Sequence, residues 1–555
     1  MSTSDISNQH HSEQAFGDRA VGSTYHLMIF LALALTAGRI VVVTSREGDT
    51  AFLSANDRSR WATVATLVER GTYIIDDQIA IANPIHRNRR PWNSIDKVRH
   101  LGSDGHQHYY SSKPPLLATM VAGIYWVVSQ VTGMTLTQYP RYLPRLILLL
   151  FNLPLLAIFY YTTIATTHRL LRSSLGRTFT AACVCFGTMV LPFSISLNNH
   201  LPACTATAVA MWIYLRANKP LATTETPTTQ KTTKTIAHRY AFLGGIAATM
   251  GAANELPALS MTALWGLLFF AKDRQSWFPF SCGAFVVAAA FFGTNWIAHQ
   301  TLKPPYAHRG NGELLMSIES TVNLPGTKVK TAINQTLKDL GEFEAIGSSN
   351  DQTIIMTESD EPGRWLVKNG QIQYALVREA QAWQLHRWDD WYEYPGTYWK
   401  DGNRRGVDRG EPSKLTYLMN LTIGHHGLFS LTPIWLLIPV GWILGLTGGD
   451  PTLRRFHLAV ITASTVCFLF YLNRPLIDRN YGGVSVCFRW LLWFAPLWLV
   501  TISHAIEYLE RWRLGRFAVI ALLSFSLFSV ATSLQTPWQS PWIYRFWTFL
   551  GWLEA

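Results

Sequence analysis

Long apolar segments recur along this chain, and they constrain its fold more than any other feature. They fall near residues 25–45, 115–134, 141–167, 178–197, 201–215, 240–253, 256–271, 278–299, 421–446, 456–473, 488–503 and 516–533. A helix crossing a bilayer needs about 20 predominantly apolar residues. With 48% hydrophobic and only 15% charged residues, the chain reads as an all-α polytopic membrane protein rather than a set of soluble domains. Its 22 tryptophans suit membrane–water interfaces. The formal charge of +12 comes from basic residues scattered among short loops, so it does not point to nucleic acid. Cys183, Cys185, Cys204, Cys282, Cys467 and Cys487 lie in or beside apolar stretches without paired spacing. They read as buried thiols, not as a disulfide framework or a metal site.

Loop charge sets the expected orientation. Arg169, Arg172 and Arg177 form one basic loop, and Arg216 to Arg239, Lys272 with Arg274, Arg454 with Arg455, and Arg511 to Arg516 form others. All are cytoplasmic together if 25–45 crosses outward and 115–134 does not cross. That leaves about eleven transmembrane helices and makes 115–134 a surface or re-entrant helix. The alternative is an extra crossing there, with an external N-terminus. Residues 25–45 are too long for a signal-peptide core and lack a cleavage pattern, so they read as a retained first span. The resulting organisation is a disordered cytoplasmic tail (1–24), a membrane core (25–299) with a first outer loop at 46–140, a large outer loop (300–420), and a C-terminal bundle (421–555). Residues 218–239 form a cytoplasmic linker in which 222–235 holds eight threonines in fourteen residues. The 300–420 region is long enough to demand a small ordered subdomain or lid.

Within the first outer loop, residues 55–70 carry Trp61, Val64, Ala65 and Val68 at amphipathic helical spacing. Ser54 and Asp57 form a capping pair, and Gly71 ends the helix. Such a helix would lie along the bilayer surface with its acid facing water or a headgroup. Asp57 is either an ordinary cap or a catalytic acid. Fifty-six residues on, Lys113 precedes Pro114 and Pro115, which stiffen the turn and start a helix. Its ammonium can neutralise a phosphate leaving group or merely snorkel to the interface.

The run Asn56–Tyr73 (NDRSRWATVATLVERGTY), followed by Lys113–Leu116 (KPPL), resembles the first-loop signature of GT-C membrane glycosyltransferases. Within that class it is most similar to the protein O-mannosyltransferase and lipid A aminoarabinose transferase group. The likeness is strongest over roughly residues 50–150. It implies an extracytoplasmic loop, a glycosyl-transfer role for Asp57, and Lys113 close to the phosphate of a polyprenyl-phosphate sugar, with Arg58 and Arg60 beside it. Arg58 stands where the family has a second acid, which puts a divalent metal and the division of catalytic roles in question.

Other outer residues are candidates by position. Arg87, Arg89 and Arg90 can hold lipid phosphates or make generic headgroup contacts. Asn198, Asn199 and His200 lie at a turn between spans, His200 as a proton carrier or a satisfied interfacial histidine. Glu255 lies between apolar segments and needs a partner or a polar cavity. His425 and His426 open a span whose helical geometry would point only one imidazole inward. Arg479, Tyr481 and Arg489 lie in or beside an outer loop, the arginines as phosphate clamps or as partners of Asp478. Residues 383–399 hold seven aromatics in seventeen, with an interfacial or lid role preferred over sugar stacking. Asp389 and Asp390 there could replace the missing acid.

The expected activity is inverting transfer of a sugar from a polyprenyl-phosphate donor to a protein, lipid or glycan acceptor. It would occur on the non-cytoplasmic face of the plasma (inner) membrane, among membrane lipids and with no firm cofactor. A lipid or solute transporter and a catalytically inactive relative are the alternatives. Sugar, acceptor and oligomeric state are not encoded in any local motif.

Overall fold

A computed structural model describes residues 24–45, 50–83, 87–216, 236–320, 324–342, 354–359, 363–400 and 402–553. The expected tail and most of the Thr-rich linker lie outside these residues. The N-terminal half runs α1 (Thr24–Val42), α2 (Ala55–Arg70), α3 (Asp76–Ala80), an antiparallel ribbon of β1 (Lys97–Leu101) and β2 (Gln107–Ser111), then α4 (Pro115–Thr132). There follow α5 (Leu143–Leu170), α6 (Ser174–Phe186), α7 (Val190–Phe193), α8 (His200–Arg216), α9 (His238–Asn254), α10 (Leu259–Lys272) and α11 (Trp277–His299). A mixed segment holds β3 (Asn311–Glu319), α12 (Thr327–Asp339), β4 (Ile355–Glu358), β5 (Arg364–Asn369), β6 (Ile372–Glu379) and β7 (Ala382–Trp388). The chain then returns to helices: α13 (Lys414–Thr422), α14 (Leu428–Leu431), α15 (Ile438–Thr447), α16 (Pro451–Leu472), α17 (Ala495–Leu509), α18 (Arg513–Ser533) and α19 (Trp542–Phe549).

Among the described residues, eight helices are long and apolar enough to cross a membrane by length and composition. The expected eleven also counted shorter runs: α8 and α9 have 17 residues each and α10 has 14. Glu255 and Pro257 separate α9 from α10. The run at 421–446 breaks at Gly424–Gly427 and Pro433 into α13, α14, a 3-10 turn and α15. The α4 segment, read from charge as non-crossing, meets the same length and composition criteria as the others. Large exposed side chains such as Phe285 and Ile297 on α11 and Phe517 and Phe525 on α18 suit a hydrocarbon surrounding.

The all-α expectation fails in the 300–420 region. There a five-stranded antiparallel sheet, in the order β3-β7-β6-β5-β4, supports one helix. Val329, Ile333 and Leu337 of α12 pack against Val367, Tyr374, Leu376, Trp383 and Leu385 of the sheet. Along β7 buried Trp383 and Leu385 alternate with less buried neighbours, which turns one face of that strand to the core. A membrane-scale search for apolar runs passes over strands this short.

Two glycines fix the closest helix crossing. A Cβ on Gly245 of α9 would lie 2.0 Å from the Phe280 carbonyl oxygen, and one on Gly283 of α11 would lie 2.0 Å from that of Phe242. Backbones meet there because neither residue has a side chain. The crossing ties α11, which ends at His299, to α9, which ends beside Glu255.

Candidate active site

The site starts at the N-terminus of α2. Ser54 caps the helix in an extended conformation, and its hydroxyl accepts from the Asp57 backbone N–H at 3.1 Å. Asp57 Oδ1 accepts from the Ser54 N–H at 2.8 Å, and Oδ2 from the Leu53 N–H at 2.9 Å. The carboxylate is fully buried, and burial pushes it up to about 7 against the pull of these hydrogen bonds and of Arg58. Oδ1 therefore completes the capping box, and Oδ2 holds the residue before the cap. The helix spans the expected residues, but its first turns are enclosed rather than laid on a surface, and its acid does not face water. Arg58 Nε donates to the Phe52 carbonyl at 3.4 Å.

The ribbon supplies the cation–acid pair. The β1–β2 register pairs Lys97 with Ser111. One residue further the Ser112 N–H donates to the Asp96 carbonyl at 3.1 Å, so Asp96 stands beside Lys113. Asp96 Oδ2 lies 3.3 Å from Lys113 Nζ. Burial lowers the Lys113 ammonium below its ordinary range, opposed by Asp96. Pro115 at the first position of α4 fixes where that lysine leaves the ribbon.

A buried polar chain runs behind this pair. Arg60 donates to Asn199 Oδ1 at 2.9 Å, and Asn199 Nδ2 donates to Glu255 Oε1 at 2.6 Å. His200 Nδ1 contacts the same carboxylate. An Arg489 Nη1–H donates to His200 Nε2 at 2.6 Å, and its Nε–H donates to the Gly482 carbonyl at 2.7 Å. Since a guanidinium only donates, His200 Nε2 must accept there, which leaves the proton on Nδ1, close to the Glu255 carboxylate but outside hydrogen-bond geometry. Gly482 has φ +91°, and a Cβ on it would strike Arg489. Glu255 thus has the partners its burial requires. Burial lowers Arg60 to about 10, still charged at neutral pH.

Arg60 and Lys113 line a cleft of about 250 Å³ with Thr63, Tyr73, Tyr110, Ser111, Pro114, Pro115, Ala118 and His299. Arg60 Nε–H has no hydrogen-bond partner there. A separate apolar groove of about 390 Å³ is lined by Met189, Leu428, Trp435, Phe488, Leu491, Leu492 and Trp498 among others. Cys487 and Phe488, the two residues before Arg489, both line it.

Several candidates lie elsewhere. Arg89 is exposed and does not line the cleft. Arg479 is used structurally, donating to the carbonyls of Arg474, Glu411 and Pro412 at 3.2–3.3 Å. Asp478 pairs instead with Arg474, at 2.7 Å. Tyr481 donates to the Glu411 carboxylate and stacks on His426 with centroids 3.9 Å apart. His425 and His426 are both buried, their Nδ1 atoms 2.5 Å apart. The expectation of one inward imidazole fails because residues 423–427 form a turn, where helical periodicity does not apply.

The aromatic run is internal rather than interfacial. Trp383 lies in the sheet core, and Trp391 and Tyr392 pack on Val98 and Tyr110 of the ribbon. Asp389 is taken by Lys303 and His308. Asp390 accepts from the Tyr392 N–H at 3.0 Å, and burial raises it to about 6. Neither acid lines the cleft. Sequence reasoning missed Asp96, whose signal is the hairpin register, and His299, which ends an apolar helix without a flanking motif. Among the described residues no three or more His, Cys, Asp or Glu side chains group as a metal set.

No protein-family model and no curated protein sequence matches the chain. Solved structures do. The apo oligosaccharyltransferase of Archaeoglobus fulgidus matches over 95% of this chain and 57% of its own, at 10% identity and a TM-score of 0.43. The same enzyme in complex with Zn and sulfate gives 13% identity, a TM-score of 0.45, and 95% and 55% coverage. The S. cerevisiae protein O-mannosyltransferase Pmt1–Pmt2 complex bound to the sugar donor gives 11% identity, a TM-score of 0.42, and 96% and 92% coverage. The chain is similar to membrane glycosyltransferases. It spans little more than half the length of the archaeal enzyme. At these identities and TM-scores the likeness is one of general layout, and the chemistry rests on this chain's own residues.

Proposed function

We propose that the protein is an integral membrane glycosyltransferase that moves a sugar from a polyprenyl-phosphate donor to an acceptor on the extracytoplasmic face. The observation that carries this reading is the cleft in which Lys113 and Arg60 keep hydrogen-bonding capacity unspent. Lys113 has one carboxylate neighbour, Asp96, for three N–H donors, and Arg60 Nε–H has none. Buried donors without acceptors are costly, and a phosphate oxygen satisfies both. Tyr73, only half-buried, offers a ring for a sugar at the same cleft. The apolar groove beside Arg489 suits an isoprenoid chain.

In the proposed displacement, Lys113 and Arg60 stabilise the charge that develops on the departing lipid phosphate. Arg489 holds His200 and Glu255, which position Asn199 and through it Arg60. Attack opposite the leaving group inverts the anomeric carbon. Asp57 acts here as a positioning residue, because its oxygens are committed to the helix terminus that carries Arg60. That commitment also favours a second reading, in which the protein binds prenyl phosphate without turnover.

The test uses purified protein in nanodiscs with undecaprenyl phosphate and a panel of prenyl-phosphate sugars. Lys113→Met and Arg60→Met should each weaken prenyl-phosphate binding about 10- to 100-fold, the worth of one charge-assisted hydrogen bond. Wild-type affinity in both variants would overturn the phosphate assignment. Binding by wild type with no sugar released would select the second reading.

A further inference from the structure

The acids near the cleft are engaged: Asp57 by the helix cap, Asp96 by Lys113, and Glu255 by Asn199 and His200. The acceptor's proton therefore needs another destination, and a pair of imidazoles offers one. His100 Nδ1 lies 2.9 Å from the Leu101 carbonyl oxygen, which can only accept, so that nitrogen carries the proton. Burial holds His100 down at about 4, so it is neutral near pH 7 and its Nε2 bears a lone pair. His299 Nδ1 lies 3.0 Å from that Nε2 and must be the donor. His299 Nε2 is then left as a lone pair. It is buried, has no hydrogen-bond partner, and belongs to a ring that lines the cleft with Lys113 and Arg60.

We propose that His299 is the general base that accepts the proton of the acceptor hydroxyl, its tautomer set by the Leu101 carbonyl through His100. The inference rests on the glycosyl-transfer reading above. As the acceptor oxygen bonds to the anomeric carbon, its proton passes to His299 Nε2. The carbon–oxygen bond to phosphate breaks, and the electron pair leaves on the phosphate oxygen beside Lys113 and Arg60. The aromatic surroundings hold the relay in place: His100 stacks on Tyr110 at 4.2 Å and on Trp391 at 4.0 Å. The titratable and charged groups facing His299 are His100 on β1, Tyr110 on β2, and His308 in the following segment; Arg60 and Lys113 share its cleft.

The experiment compares wild type, His299→Ala and His299→Gln in nanodiscs, reading prenyl-phosphate release from the donor panel against pH. Undecaprenyl-phosphate binding is the control for folding and for the phosphate subsite. Both variants should lose about 10²-fold or more in turnover, the usual worth of a positioned base, while binding stays within about twofold. In wild type the rate should fall at the acid pH where the buried ring takes up a proton, because the protonated ring has no lone pair; the variants should lack that limb. Added imidazoles should restore His299→Ala with rates that follow their pKa, which a packing role would not produce. Unchanged turnover and pH profile in the variants, or a loss that no imidazole restores, overturns the base assignment alone. A wild type that turns over no donor overturns the transferase reading and this inference with it.

Discussion

Asp57 illustrates how one side chain can fit two sequence patterns at once. Its spacing from Ser54 fits a capping pair, its setting fits a catalytic acid, and its two oxygens are spent on the Ser54 and Leu53 amides. Asp57→Ala should cost about 1 kcal/mol of stability, as loss of a cap does. The pH dependence has a definite sign. A carboxyl raised to about 7 in the folded protein binds its proton more tightly than in the unfolded chain. Stability from that proton is complete below about pH 4 and is lost as pH rises to about 7. Asp57→Asn stays neutral throughout, so wild type should fall behind it in melting temperature between pH 5 and pH 8. A gap that does not move with pH would refute the shifted titration.

At the scale of elements, the sequence disclosed some contacts and hid others for physical reasons. The α2 limits were legible because Ser54 and Gly71 are local signals, and Lys113 because two prolines follow it. Asp96 was not, since its meaning depends on the strand register of a ribbon that no periodicity announced. Glu255 could be recognised as needing a partner, yet only the packing of α8 against α9 brings Asn199 and His200 to it. The α9–α11 crossing makes a sharper statement. Gly245→Ala or Gly283→Ala puts a methyl into a backbone carbonyl, and overpacking of this kind costs about 1–3 kcal/mol. Each should lower the melting temperature and, by moving α11, impair turnover more than prenyl-phosphate binding. A fully stable Gly245→Ala protein would mean the helices do not meet there.

Across the whole molecule, the sheet-bearing segment is fastened to the β1–β2 ribbon. The Trp391 carbonyl accepts from the Arg99 N–H at 2.8 Å, Trp399 Nε1–H donates to the Ile95 carbonyl at 2.8 Å, and Trp391 stacks on His308 and His100. The aromatic run therefore serves as a clamp between two loops, where composition alone suggested an interfacial or lid role. Trp391→Ala should cost about 3–5 kcal/mol locally. Amide exchange should accelerate across 97–111 while α9 and α17 stay protected. Exchange rates unchanged in the ribbon would show that the clamp contributes nothing.

The bond from Arg489 to His200 bridges residues 289 positions apart. A ribosome delivering this chain would have threaded the cleft's lysine, the capped helix and the histidine pair into the membrane long before residue 489 emerges. Until then His200 Nε2 has no guanidinium from which to accept. The buried polar chain would thus be completed late in biosynthesis, when the segment that carries Arg489 emerges.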